Sequence, residues 1–115
     1  MGKKEKTTED TLRFVQMVSK KQGWALNPDP EFLSNLVDGL TINHNRYGYY
    51  ACPCREAWGE KDKDKDICCP CVYNVPDQDE HGHCFCALFL TKEFLISGKD
   101  ITRIPERRPE DLQPD

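Results

Sequence analysis

With 115 residues, seven of them cysteine, and a hydrophobic share of 37% that counts those cysteines, the chain has material for one domain and little conventional apolar matter to hold it together. Its net charge of -4, with acidic and basic residues intermixed, gives no electrostatic footprint for a nucleic-acid partner. No apolar stretch of an export signal follows MGKKEKTTED, and the longest apolar run, CFCALFL at 84–90, falls far short of the about 20 residues that cross a bilayer, so a soluble, cytoplasmic protein with no membrane partner is expected.

In chain order, TTEDTLRFVQMVSKKQG predicts a first helix: Thr7 or Thr8 caps it, Glu9 and Asp10 suit its positive end, Lys20 and Lys21 its negative end, and Gly23 stops it. Leu12, Val15 and Val18, with Phe14 beside them, recur at the helical spacing and are expected to face the core. NPDPEFLSNLVDGL predicts a second helix, with Asp29 as cap, Pro30 at the first helical position, and Phe32, Leu33, Leu36 and Leu40 inward. TINHNRYGYY, residues 41–50, is expected as a loop or short turn. REAWGEKDKDKD ends in alternating charges, the pattern of a solvated face or exposed loop. VYNVPDQDEHGH is rich in turn formers, and CALFLTKEFL fits either a short helix or a buried strand. The proline-rich stretch 105–115 is expected as a surface tail, extended or mobile, behind a single domain over 1–104.

Six cysteines fall in three pairs with a spacer of one: Cys52-Pro-Cys54, Cys69-Pro-Cys71 and Cys84-Phe-Cys86. A disulfide inside Cys-Pro-Cys would close a small strained ring, since proline fixes its own φ and extends the residue before it, so the two sulfurs are expected to serve different partners. In a reducing compartment clustered cysteines are metal ligands or redox catalysts more often than staples. Structural zinc knuckles space their cysteines by two to four residues, which counts against a zinc-binding interaction module. A 4Fe-4S cluster, which takes one thiolate at each of four corners, suits the pattern better and leaves two thiols over. A plain electron carrier with such a cluster and no dithiol chemistry is the remaining alternative.

The ordered motifs CPCREA, CCPCV and HCFCALFLT resemble the catalytic subunit of ferredoxin-thioredoxin reductase and the related ferredoxin-disulfide reductases, whose pattern is CPC, CPC, then CHC before an apolar stretch. The resemblance spans roughly residues 46–95 and implies a mainly α fold, a small single domain of short helices and loops wrapped around a 4Fe-4S cluster. It implies Cys52, Cys69, Cys71 and Cys84 as cluster ligands, and Cys54 and Cys86 as a redox-active disulfide beside the cluster. In the family the thiol matching Cys54 attacks the target disulfide, and the one matching Cys86 is held against the cluster. Implied partners are a ferredoxin or similar small electron carrier, a thioredoxin-like protein, and a possible second subunit. A ferredoxin near about -400 mV and a thioredoxin near about -270 mV differ by roughly 130 mV, on the order of 6 kcal/mol for two electrons, so reduction of the target runs downhill.

Phe85 stands where the family's CHC carries a proton-managing histidine. His83 or His81 is the substitute for that role, unless HGH is simply an exposed turn. Cys68, the seventh cysteine, is either a small buried hydrophobe or an alternative to Cys69 as ligand. Tyr47, Tyr49, Tyr50 and Trp58 flank the first pair as docking or packing residues, and Arg46 and Arg55 are expected to meet an acidic electron donor.

Overall fold

Thr7 begins the first helix, α1 (Thr8–Gln22), with a capping box in which its hydroxyl accepts from the Asp10 amide and the Asp10 carboxylate accepts from the Thr7 amide. The structure, a computed structural model, describes residues 5–114. Gly23 ends α1 with φ of 76°, where glycine carries no steric penalty. A two-residue strand, β1 (Ala25–Leu26), leads to α2 (Pro30–Tyr47), capped by Asp29 through the amides of Glu31 and Phe32. α3 (Lys61–Asp64) runs into a 3-10 turn (Lys65–Ile67); α4 (Asn74–His81), β2 (Phe89–Leu90), α5 (Lys92–Ser97) and a last 3-10 turn (Glu110–Leu112) follow. β1 and β2 pair antiparallel, Ala25 opposite Leu90 and Leu26 opposite Phe89. The chain is mainly α, as its sequence implied, built of helices joined by loops around one core.

α1 and α2 pack through Val15, Val18, Leu36, Val37 and Leu40, with Leu12 and Leu33 partly buried against them. The hydroxyls of Thr11 and Thr41, 2.6 Å apart, bridge the two helices inside that contact. Phe32 is a correction: it is exposed. At 100° per residue it sits at the edge of the stripe formed by Leu33, Leu36, Val37 and Leu40.

The expected loop over 41–50 is also corrected, because α2 continues to Tyr47. Thr41 carries the buried stripe onward, its hydroxyl 2.8 Å from the Val37 carbonyl, and His44 lies against the Tyr50 ring. The turn-former stretch after Cys71 forms α4, with Asn74, Asp77 and Gln78 buried along it.

The alternating charges, expected as a solvated face, contain a buried anchor. Asp64 is fully buried and accepts from the Trp58 amide at 3.0 Å, the Gly59 amide at 3.0 Å and the Tyr49 hydroxyl, with Arg108 Nη2 3.6 Å away. Burial first, and then the Asp64 carboxylate, hold the Tyr49 phenol well above its usual range. Arg108 comes from the stretch read as a tail, yet it is buried, paired with Asp66 at 2.9 Å and donating to the carbonyls of Glu56 and Lys63. Arg107 binds Asp77 at 2.8 Å and also Glu80. Backbone acceptors and two carboxylates satisfy Arg108, which is why this proline-rich segment stays against the core.

Candidate active site

Two short backbone devices and one side-chain hydrogen bond bring the cysteine pairs together. The first two pairs lie side by side in an antiparallel bridge between Ala51 and Cys68, with the Cys52 amide donating to the Ile67 carbonyl at 2.9 Å and the Cys69 amide to the Tyr50 carbonyl at 2.7 Å. Asn43 of α2 fixes the entry to this bridge by donating to the Ala51 carbonyl at 2.8 Å. The third pair forms a tight turn that the Ala87 amide closes onto the Cys84 carbonyl at 2.9 Å, and Ala87 takes the left-handed conformation, φ 60°. A non-glycine residue there costs roughly 1–2 kcal/mol. Buried Asn27 offsets it: its side chain donates to the Ala87 carbonyl and its amide to the Leu88 carbonyl, both at 3.0 Å.

The six paired thiols meet on one side of the core, with Cys52, Cys84 and Cys86 buried among the apolar side chains. The Cys86 sulfur lies 3.8 Å from that of Cys84, and the Cys52 and Cys54 thiols are near enough to act on its ionisation. Cys69 is partly buried against the core, near enough to Cys52, Cys84, Cys71 and Cys68 to feel their charge. Of the seven cysteines, none in a disulfide, Cys54 alone is exposed.

Their ionisation differs with their surroundings. The nearby Cys86 thiol lowers the pKa of Cys54, against partial burial, and Arg55 helps. Cys86 moves the other way: the neighbouring thiols of Cys52, Cys54 and Cys84, together with burial, raise its pKa. Cys84 is drawn down to about 7, first by Cys86 and then, against burial, by amides including that of Phe89, 3.4 Å from its sulfur. Burial pushes Cys69 well up and Cys71 to about 11, the latter despite Arg55.

Arg55 is a member of this site that the sequence suggested only as a surface docking residue. That expectation is corrected: its side chain is 1% exposed. Nη1 lies 3.3 Å from Cys71 Sγ and 3.8 Å from Cys52 Sγ, and Nε donates to both oxygens of Glu106 at 2.9 and 2.8 Å. Nη2 completes the ion pair at 2.8 Å from Glu106, although its hydrogens point away from an aligned bond. The rings of Phe85 and Tyr73 stand 4.5 and 5.1 Å from the guanidinium centre. Burial opposes the charge, but Glu106 and the Cys52 and Cys71 sulfurs outweigh it and raise the pKa.

The other sequence candidates lie around this centre. His83 is buried; its Nδ1–H donates to the Cys84 carbonyl at 2.8 Å and its ring meets Phe94 edge-on. Among the described residues no hydrogen bond joins that ring to Cys54 or Cys86, and His81 pairs instead with Glu80. HGH is thus the end of α4, capped by Gly82, and the entry to the third cysteine turn. Cys68 turns its thiol back to the Asp64 carbonyl at 3.6 Å. Tyr50 stacks on Phe14 and Trp58 donates to the Leu112 carbonyl, both packing roles, while Arg46 is exposed beside Tyr47. Sequence reading missed Asn27 and Glu106; nothing in their local motifs marks them, since their partners lie 60 and 51 residues away.

Whether these residues fit a metal centre follows from the donor set. Among the described residues no three His, Cys, Asp or Glu side chains gather tightly enough for a single metal ion. Thiols of this kind, two of which burial keeps protonated, suit a polynuclear group whose positive irons ionise thiols. The amide on Cys84 and the guanidinium on Cys71 are donors of the type that stabilise sulfur ligands. The cysteine donor set is thus of the chemical type that an iron-sulfur cluster takes.

No described helix is long and apolar enough to cross a membrane. Among curated proteins, the chain is 31% identical over 103 residues to the chloroplastic ferredoxin-thioredoxin reductase catalytic chain of Arabidopsis thaliana, covering 85% of this chain and 66% of that one. It is 28% identical over 95 residues to the ferredoxin-thioredoxin reductase catalytic chain of Guillardia theta, covering 78% and 86%, and 30% identical over 102 residues to that of Porphyra purpurea, covering 83% and 80%. The chain thus spans about two thirds of the length of its plant relatives. A family model described as ferredoxin thioredoxin reductase catalytic beta chain matches residues 2–106, across all three cysteine pairs; the chain belongs to that family.

Proposed function

We propose that the protein is an iron-sulfur disulfide reductase that takes electrons singly from a ferredoxin-like donor and delivers them in pairs to a thioredoxin-like protein disulfide. The observation that carries this reading is the gathering of the paired thiols, with Cys54 exposed and Cys86 buried 3.8 Å from Cys84, near enough to each other that Cys54 and Cys86 affect one another's ionisation. A second subunit is part of the proposal only as a possible partner, and the cytoplasm is its proposed setting.

Cys54 is the attacking group: it is exposed, and its thiolate is favoured. Attack on the target disulfide forms a Cys54–target mixed disulfide and frees one target thiolate. Cys86, buried near Cys54, gives up its proton and attacks Cys54 Sγ, so that the second target sulfur leaves and the two cysteines join. The target has then gained two electrons and the Cys54–Cys86 pair has lost two. When bound through Cys52, Cys69, Cys71 and Cys84, a 4Fe-4S cluster supplies the single electrons by which that disulfide is reopened. His83 is the proposed proton carrier: with Nδ1–H committed to the Cys84 carbonyl, Nε2 is the nitrogen that accepts a proton.

Cys54→Ser and Cys86→Ser test the division of labour. Each variant is expected to keep the iron content and broad visible absorbance of the parent while losing disulfide reduction. Loss of iron in both would show that the ligands are wrongly assigned. His83→Gln is expected to slow turnover at unchanged iron content, and unchanged turnover removes the histidine from the scheme.

A further inference from the structure

We propose that Arg55 sets the redox potential of the iron-sulfur centre, and that Glu106 is the positioning residue that holds the guanidinium to that task. This rests on the reading above that Cys52 and Cys71 are ligands.

The orientation of the guanidinium carries the argument. One edge, Nη1, faces the two sulfurs at 3.3 and 3.8 Å; the opposite edge, Nε with Nη2, is paired side-on with Glu106. The pair is thus a dipole whose positive end points at the candidate ligands and whose negative end points away. Phe85 and Tyr73 cover its faces, and the side chain is 1% exposed, so water does not screen it. In such surroundings a fixed charge acts strongly on its neighbours.

A purely structural purpose explains this less well. Buried ion pairs are weak stabilisers, and an apolar side chain between two aromatic rings would pack at lower cost. Net charge, hydrogen bonds to sulfur and solvent exposure are the main levers on the potential of an iron-sulfur centre. Arg55 applies all three: it brings a positive charge, an N–H directed at Cys71, and a cover over the sulfurs. The reduced form carries one more negative charge, so the guanidinium favours it and raises the potential. Phe85, which replaces the family's histidine, gains a physical role as one wall of this enclosure.

Glu106 reaches the site from 51 residues away. Its neighbours Arg107 and Arg108 bind Asp77, Glu80 and Asp66, so the segment 106–108 works as a clasp closed over Arg55.

The test uses the full chain purified without oxygen, with iron and sulfide assayed first and the one-electron midpoint potential then titrated by visible absorbance. Arg55→Gln is expected to weaken reduction about tenfold at a given ambient potential, a fall of about 59 mV. Arg55→Lys, which keeps the charge but not the fork, should fall by less. Glu106→Ala should also fall, because a loosened guanidinium loses its aim. A rise in Glu106→Ala would show a bare negative charge and overturn the clasp, while unchanged potentials in Arg55→Gln and Arg55→Lys would overturn the whole inference. If Arg55→Gln assembles no cluster, the Arg55→Lys potential decides. A parent protein without iron, or a Cys71→Ala variant with its full cluster, would instead refute the ligand assignment beneath it.

Discussion

The Pro53 ring rests on the α-carbon of Gly39, so closely that a methyl group there would come within 2.8 Å of Pro53 Cβ. A glycine inside α2 costs about 1 kcal/mol in helix propensity relative to alanine, and the site accepts that cost so that the first Cys-Pro-Cys turn can seat directly on the helix. Gly39→Ala is therefore expected to destabilise the protein by about 1–3 kcal/mol in urea unfolding, despite the gain in propensity, and to lower its iron content. A more stable variant with full iron would show that the turn is not seated there.

Much of the frame was legible locally. Thr7, Gly23, Asp29 and Pro30 stand where caps and first-turn residues belong, and the alternation of Leu33, Leu36 and Leu40 marks the face of α2 that meets α1. Local rules failed where distant groups decide. Asp64 reads as one charge among seven in a polar run until Tyr49 and Arg108 are placed around it. The pairing of Cys-x-Cys elements was legible as chemistry; the setting of Arg55 was not, because Glu106, Tyr73 and Phe85 reach it from three separate parts of the chain.

Arg108 is buried, pairs with Asp66 at 2.9 Å and lies 3.6 Å from buried Asp64, so removing it takes the cation away from both carboxylates. Arg108→Ala is expected to cost about 3–5 kcal/mol, measured as a lower urea midpoint with unchanged slope. A change under about 1 kcal/mol would mean that the C-terminal segment is not held to the core in solution.

The Asn27 side chain caps the carbonyl of Ala87 in the strained turn after Cys86. Asn27→Ala leaves that carbonyl unpaired and should cost about 1–3 kcal/mol, with faster loss of iron on dilution. Ala87→Gly relieves the left-handed conformation and should leave iron retention intact. The opposite pattern, with Asn27→Ala neutral and Ala87→Gly impaired, contradicts this account of the turn.

Cys54 owes its lowered pKa first to the Cys86 thiol and then, against burial, to Arg55. A lowered pKa leaves more thiolate at neutral pH, so alkylation of Cys54 in the reduced protein should reach half its maximal rate below the ordinary thiol value of 9.0. Cys86→Ser replaces the donor with a hydroxyl, and Cys86→Ala removes it and should move that midpoint upward. A Cys54 midpoint at or above 9.0 in the parent, or one that is unmoved by Cys86→Ala, is inconsistent with the coupling.

The most direct measurement is mass-mapped thiol labelling of the oxidised, iron-loaded protein before and after mild reduction. Cys54 and Cys86 should be recovered as one cross-linked pair that opens on reduction, while Cys52, Cys69, Cys71 and Cys84 become reactive only when the iron is stripped. A crosslink joining Cys54 to any other cysteine, or a Cys54 that reacts only after iron removal, would contradict the separation of two exchanging sulfurs from four binding ones.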